Sequence, residues 1–227
     1  MGPDVRSAQD PRPAVQMSLV TLSALSGAYA ASAIGPLLEA MRSSLSLSDN
    51  QIALLVGPAL AFPVIVAAVP VGVVVDRFQR TRLLRLCAVV LILGLLLSAF
   101  ARDFEWLLLA RGMVGIASSA IAIATTSLAA DLYPPAKRGR ARAILTIGQA
   151  AGGACAYTFG GHLLVSSGFG VESWRWTLIG LTVPLIFIAI VLSWAKEPVR
   201  AGVVIRNPSF RQVAAEFHHL GRSLALL

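Results

Sequence analysis

The stretch PVGVVVDRFQRTR, from Pro70 to Arg82, lies between two long apolar runs of the chain. An uncharged run, residues 50–75, leads into it, and a second, residues 86–101, follows it. About 20 apolar residues cross a bilayer as a helix, since each residue advances the helix by about 1.5 Å. Four arginines closely follow Asp76 in the sequence, at positions 77, 80, 82 and 85. The stretch therefore predicts a short basic hinge between two membrane-spanning helices.

The composition is that of an integral membrane protein. Hydrophobic residues make up 56% of the sequence, charged residues only 13%, and the mean hydropathy is +0.76, whereas a soluble domain carries roughly 25% charged residues. The net charge of +8 does not indicate nucleic-acid binding, because the basic residues cluster between apolar runs. Cys87 and Cys155 fall inside such runs, so no disulfide framework, metal site or cofactor is predicted.

Six apolar segments predict an all-α membrane protein with six transmembrane helices. Their bounds are residues 14–41, 51–75, 83–101, 106–130, 143–166 and 176–195. A helix bundle, residues 14–195, then lies between a cytoplasmic segment, residues 1–13, and a cytoplasmic tail, residues 196–227. In the tail, Asn207 and Pro208 are typical of a helix start, and an apolar stripe that includes Phe210 and Phe217 predicts an amphipathic helix.

Lysine and arginine are concentrated in the loops on one side of the predicted helices. The second-to-third loop, the fourth-to-fifth loop and the tail are basic, whereas the opposite loops carry only Arg42, Arg102 and Arg175. By the positive-inside rule, both termini are cytoplasmic. Arg85, near the start of the third helix, is long enough to extend to the membrane interface. The orientation places three tryptophans at the outer interface: Trp106, Trp174 and Trp176.

The hinge resembles a known signature. The pattern Gly-x-x-x-Asp-Arg-x-Gly-Arg-Arg/Lys marks the loop between the second and third helices of the major facilitator superfamily, and four residues match it in register: Gly72, Asp76, Arg77 and Arg80. Gln79 stands where the family usually has glycine. The resemblance implies that these four residues form a gating motif, in which Asp76 holds the inner side closed against a helix of the other half.

Further similarity extends over nearly the whole chain. In ARGMVGIASSA, Arg111 and Gly115 match the Arg-x-x-Gln-Gly pattern of the family's fourth helix. DLYPPAKRGRARA is similar to its fourth-to-fifth loop, and SWRW to the lead into its sixth helix. AYTFGG keeps Gly160 and Gly161 but departs from the Gly-Pro-x-x-Gly-Gly of drug–proton antiporters. The chain thus resembles the amino-terminal, six-helix half of a transporter of this fold.

Polar residues inside the predicted helices are candidates for a substrate or proton pathway. Arg111 comes first, because a charge within the bilayer is costly unless it faces a cavity or a partner. Its alternative is extension to the outer interface near Trp106. The other candidates are Gly115, Tyr29, Ser118, Gln149 and Tyr157. Hydrogen bonding between helices explains their polar groups equally well.

An intramembrane enzyme is the minor alternative. Ser118, Ser119 and His162 supply the residue types of a nucleophile and its base. However, the predicted depths of the serines and the histidine differ, and the Gly-x-Ser-Gly setting of intramembrane serine proteases is absent. No enzyme activity is therefore predicted.

The resemblance implies a secondary active transporter in the plasma or inner membrane. Such a protein moves a small solute, with or without a coupling proton or ion, by alternating access between two halves. The main alternative is a truncated or half-size chain that does not transport without a second half. The implied partners are a small-molecule substrate, the lipid bilayer, and a carboxy-terminal half or a second copy of the chain.

Overall fold

The structure is a computed structural model of the 227-residue chain, and it describes residues 12–66, 80–166 and 173–194. All regular elements in these ranges are helices. They are α1 (Arg12–Ser32), α2 (Leu38–Leu45), α3 (Asp49–Val56), α4 (Pro58–Val66), α5 (Arg80–Ala99), α6 (Phe104–Leu132), α7 (Arg138–Ser166) and α8 (Ser173–Ser193). Short 3-10 turns, Gly35–Leu37 and Pro135–Lys137, lead into α2 and α7. The predicted tail helix lies outside the described residues.

Each of the six predicted membrane segments contains described helix, although residues 67–75 of the second segment lie outside the described residues. Four segments are long and apolar enough to cross a bilayer: Ala14–Leu45, Thr81–Ala99, Phe104–Leu132 and Ser173–Ser193. The pair α3 and α4 forms a fifth, bent by 42°. α7 is less apolar because of its glycines and its basic first turn, but it has 29 residues. At about 1.5 Å per residue it extends about 43 Å, beyond the roughly 30 Å hydrocarbon core.

The second predicted segment is not one continuous helix but is broken at Gly57. Pro58 has no N–H group, and it cannot continue the hydrogen bonds of α3. The chain restarts as α4 when the N–H groups of Leu60 and Ala61 both donate to the Gly57 carbonyl oxygen, each at 3.1 Å. The break leaves the last carbonyl groups of α3 available to other donors.

α1 and α7 pack side by side in the same direction along a stripe of small residues. The buried face of α7 repeats a small residue every four positions: Gly148, Gly152, Ala156 and Gly160. A Cβ added to Gly148 would lie 2.6 Å from Cγ2 of Thr21. One added to Gly152 would overlap the carbonyl oxygen of Leu25. The glycines therefore allow the two backbones to approach closely, as small residues do between membrane helices.

The long helices close into a ring, in which α1 packs on α6, α6 on α5, α5 on α8, and α8 on α7. Fully buried leucines of α5, α6 and α8 fill its centre: Leu91, Leu95, Leu107, Leu178 and Leu181. Trp174 is also fully buried, so its predicted place at the outer interface is wrong. Trp106 and Trp176 are exposed, as expected of interface residues.

Replacing Gly152 with alanine is expected to lower the melting temperature of the purified chain by several degrees. The added methyl group meets a backbone carbonyl group, which cannot yield unless α1 shifts. Thermal unfolding in a mild detergent measures the change. Gly161→Ala in the same helix is the matched control, because nothing lies within 4 Å of a Cβ there and alanine favours a helix. Equal melting temperatures for the two variants would contradict the close packing of α1 and α7.

Candidate functional site

Arg111 is a buried charge within the described helices. Its side chain is only 2% exposed, although α6 carries it within a membrane-spanning segment. Nη2 donates to the Ala31 carbonyl oxygen at 2.9 Å, and Nε donates a long hydrogen bond to the Leu55 carbonyl oxygen at 3.4 Å. Nη1 is buried and has no hydrogen-bond partner among the described residues. The guanidinium therefore points into the bundle, not towards Trp106 and the interface.

Both carbonyl groups that accept from Arg111 lie in the last turn of a helix. α1 ends at Ser32 and α3 at Val56, and the last four carbonyl groups of a helix have no N–H partner within it. These ends also carry about half a negative charge from the aligned peptide dipoles. The cation thus satisfies two carbonyl groups and recovers part of the cost of leaving water. Arg111 joins the C-terminal ends of α1 and α3.

Gly115 brings the second half of the broken segment against the same face of α6. A Cβ added to Gly115 would lie 2.8 Å from the Leu60 carbonyl oxygen, and one added to Gly112 would lie 3.5 Å from the Pro63 ring. Gly115 is four residues beyond Arg111, so the two share one face of the helix. The structure therefore brings these two predicted site residues together at the α3–α4 break.

The predicted residue Ser118 lies where α6 packs on α1. Its hydroxyl donates to the Gly115 carbonyl oxygen at 3.0 Å, and its Cα would lie 3.6 Å from a Cβ added to Gly27. The Ser119 hydroxyl donates to the Ile116 carbonyl oxygen at 2.8 Å. Both serines thus bond within their own helix, and neither donates to a histidine base.

Tyr29, Gln149 and Tyr157 lie on the other side of α1, towards α7. Tyr29 is 2% exposed, and its buried hydroxyl has no hydrogen-bond partner among the described residues. Tyr157 is exposed on one side, and its ring packs against the backbone of Gly35. Gln149 is half-buried, about 12 Å from Tyr157 along the helix axis at roughly 1.5 Å per residue. None of the three hydrogen-bonds to Arg111 in the described part of the chain.

Sequence reasoning misses Ala31 and Leu55, the two residues whose carbonyl oxygens bind Arg111. A backbone carbonyl group has no side-chain signal. Two dipeptides indicate where such groups become available: Gly35-Pro36 after α1, and Gly57-Pro58 after α3. Glycine beside proline marks a helix break, and a break within a membrane segment leaves carbonyl groups that need donors.

The predicted gating motif lies mostly outside the described residues. This applies to Gly72, Asp76 and Arg77. Arg80 begins α5, and its side chain lies outside the description as well.

The geometry defines a membrane bundle in which broken and continuous helices meet at a buried arginine. The sequence profile of the Major Facilitator Superfamily matches residues 20–226. The chain belongs to this family, and several of the proteins that it resembles are named as transporters and none as an enzyme among those reported below. Its helices form one six-helix half of the family's fold.

Solved structures share this fold. A bacterial homolog of the human lysosomal transporter Spinster, in an inward-facing and unoccupied conformation, superposes with a TM-score of 0.75 and 27% identity. The match covers 92% of this chain and 50% of that one. The inward-open xylose transporter XylE from E. coli gives a TM-score of 0.72 at 16% identity, over 94% of this chain and 56% of that one. This second likeness concerns the fold alone.

Curated relatives match over part of the chain. The D-xylose transporter of Levilactobacillus brevis is 32% identical over 126 residues, which is 56% of this chain and 27% of that protein. Solute carrier family 22 member 6 of Danio rerio is 28% identical over 145 residues, 64% of this chain and 24% of that protein. The chain thus spans about a quarter of the length of these relatives.

Replacing Arg111 with methionine is expected to lower the melting temperature of the chain by several degrees. Each buried carbonyl group left without a donor costs about 1–3 kcal/mol. The melting temperature of the Arg111→Lys variant should lie between those of the parent chain and Arg111→Met, because one ammonium group does not reproduce the planar arrangement of donors. Arg102→Met, at an exposed position, is the control for lost charge. If both methionine variants melted at the same temperature, Arg111 would not stabilise the two helix ends.

Proposed function

We propose that this chain is the amino-terminal half of a secondary active transporter, with residues 14–195 as its membrane bundle. The carrying observation is Arg111, a buried cation that joins the ends of α1 and α3 and keeps one N–H group without a partner. In secondary transporters, substrate sites form near the bilayer midplane where helices are interrupted. Family membership supports the same function, since several relatives are named as transporters.

We infer that the substrate is a small solute with acceptor oxygens. Nη1 of Arg111 is a donor only, and a carboxylate or hydroxyl oxygen satisfies it. Two relatives are named for such solutes, the D-xylose transporter of Levilactobacillus brevis and organic anion transporter 3 of Oryctolagus cuniculus. Further polar groups of the proposed pathway come from Tyr29, Ser118, Gln149 and Tyr157. A coupling proton or ion is part of the proposal.

Alternating access needs a second half, because a single bundle supplies one wall of the cavity. Large apolar side chains of α4 and α7 are exposed, among them Phe62, Ile65 and Ile147. We propose that a carboxy-terminal half, or a second copy of this chain, covers part of this surface. The bundle alone is then the non-transporting form.

The isolated chain, residues 1–227, is expected to be inactive as a monomer. Light scattering of the detergent-purified protein measures its mass, and reconstitution into liposomes measures uptake of xylose and of organic anions. Activity, if present, should appear only in the fraction with a mass above the monomer. A stable monomer that transports either solute would contradict the need for a second half.

In the transporter with both halves, Asp76→Asn is expected to reduce transport at least several-fold without reducing membrane insertion. The physical reason is the loss of a negative charge that would face the positive end of a helix in the other half. Uptake and the amount of protein in the membrane are measured together. Asp49→Asn is the matched control, because Asp49 pairs with Arg42 at an exposed position where ion pairs contribute little. Full transport by the Asp76 variant would refute the gating role.

We propose that both termini are cytoplasmic, following the bias of lysine and arginine. A reporter active only in the cytoplasm should give signal when it is fused after Leu227, and none when it is fused after Arg102, between α5 and α6. Signal from the Arg102 fusion with none from the Leu227 fusion would overturn this orientation.

A further inference from the structure

Arg175, in the first turn of α8, binds the end of α5. Its Nη1 donates to the carbonyl oxygens of Ala99 and Ala101, at 2.8 and 2.6 Å. α5 ends at Ala99, so this carbonyl group has no partner within its own helix. The guanidinium carbon also lies 4.4 Å from the centre of the Trp174 ring. Because Trp174 is fully buried, the ring holds the arginine against the bundle.

Arg85, in the second turn of α5, makes the corresponding contact at the opposite end. Its Nε donates to the Leu192 carbonyl oxygen at 3.1 Å, and α8 ends one residue later, at Ser193. The sequence predicts that Arg85 is able to extend to the membrane interface. In the structure, part of its guanidinium binds a helix end, where the aligned peptide dipoles favour a cation.

The two contacts are equivalent, with the roles of α5 and α8 exchanged. Each helix places an arginine near its own start and binds the last turn of its partner, so α5 and α8 run antiparallel. Arg85 and Ala99 are 14 residues apart on α5, and at about 1.5 Å per residue the two contacts are separated by about 21 Å. Fully buried leucines fill the interval between them: Leu91, Leu95, Leu178 and Leu181.

We propose that Arg85 and Arg175 form a reciprocal clamp, which makes α5 and α8 one rigid unit. One contact would hold the helices at a single point and allow their far ends to separate. Two contacts about 21 Å apart prevent separation at either end. Opening either end would also leave carbonyl groups without donors in a membrane environment, which is costly.

The clamp predicts which helices of this bundle move as one body. The contacts of α1 with α7, and of α6 with α4, depend on glycines and on backbone packing. The contacts between α5 and α8 combine a packed core with two charged hydrogen-bond anchors. In any conformational change of the bundle, α5 and α8 should therefore move together. This inference concerns the chain's own packing, and it stands whether or not the chain transports a solute.

Spin labels at exposed positions near each contact test the clamp. One pair is Phe100 with Trp176, next to Arg175, and the other is Leu86 with Ile190, next to Arg85. Each of these four residues is replaced by a cysteine that carries a label, after Cys87 and Cys155 have been changed to alanine. Dipolar broadening of the spectrum reports whether two labels stay close. Both pairs should show broadening in the parent protein.

Each arginine should control its own end. Arg175→Gln is expected to remove broadening from the Phe100–Trp176 pair only, and Arg85→Gln from the Leu86–Ile190 pair only. Arg102→Gln and Arg82→Gln are the matched controls, since both remove an exposed arginine near the same ends. Unchanged broadening in both single variants would overturn the clamp.

Thermal unfolding distinguishes a clamp from two contacts that act independently. Distant and independent substitutions have additive effects on stability. For a clamp, one remaining contact still holds the helices together, so the double variant Arg85→Gln/Arg175→Gln should lower the melting temperature by more than the sum of the two single shifts. Arg175→Lys and Arg85→Lys should restore part of each shift. An additive double variant would show that the contacts act separately.

Discussion

The structure depends on hydrogen-bond donors for the carbonyl groups at helix ends, which have no partner within their own helix. Water supplies such donors to a soluble protein, but the hydrocarbon core of a bilayer does not. In the described part of the chain, arginine side chains supply them at three places: Arg111 to α1 and α3, Arg85 to α8, and Arg175 to α5. Arginine suits this role because its planar guanidinium presents several donors and is less strongly hydrated than an ammonium group.

α1 is held in two different ways, and this links the candidate site to the rest of the bundle. Along its length, its backbone packs on the glycines of α7, including Gly148 and Gly152. At its end, Arg111 binds the Ala31 carbonyl oxygen and also the end of α3. A displacement of α1 therefore changes both the packing with α7 and the hydrogen bonds at the α3–α4 break. The buried arginine connects these two regions of the half.

The class of protein and its family were predictable because their signals are local. Long apolar runs and the motif around Asp76 predict a membrane bundle of the major facilitator type, and the profile match and the fold confirm it. Two details of the helices were not predicted. The second segment breaks at Gly57, where a glycine beside a proline was the available signal, and Trp174 is buried beneath Arg175 instead of lying at the interface. The roles of the candidate site residues stay predictions.

The sequence by itself determined that the chain is helical and that it is a multi-pass membrane protein, because the length and apolar character of its segments are properties of the chain in one dimension. Only the tertiary structure decided what Arg85, Arg111 and Arg175 bind. Their acceptors are backbone carbonyl oxygens, which every residue possesses, and their availability depends on where a helix ends and which arginine lies beside that end. That proximity arises only when helices distant in the sequence pack together.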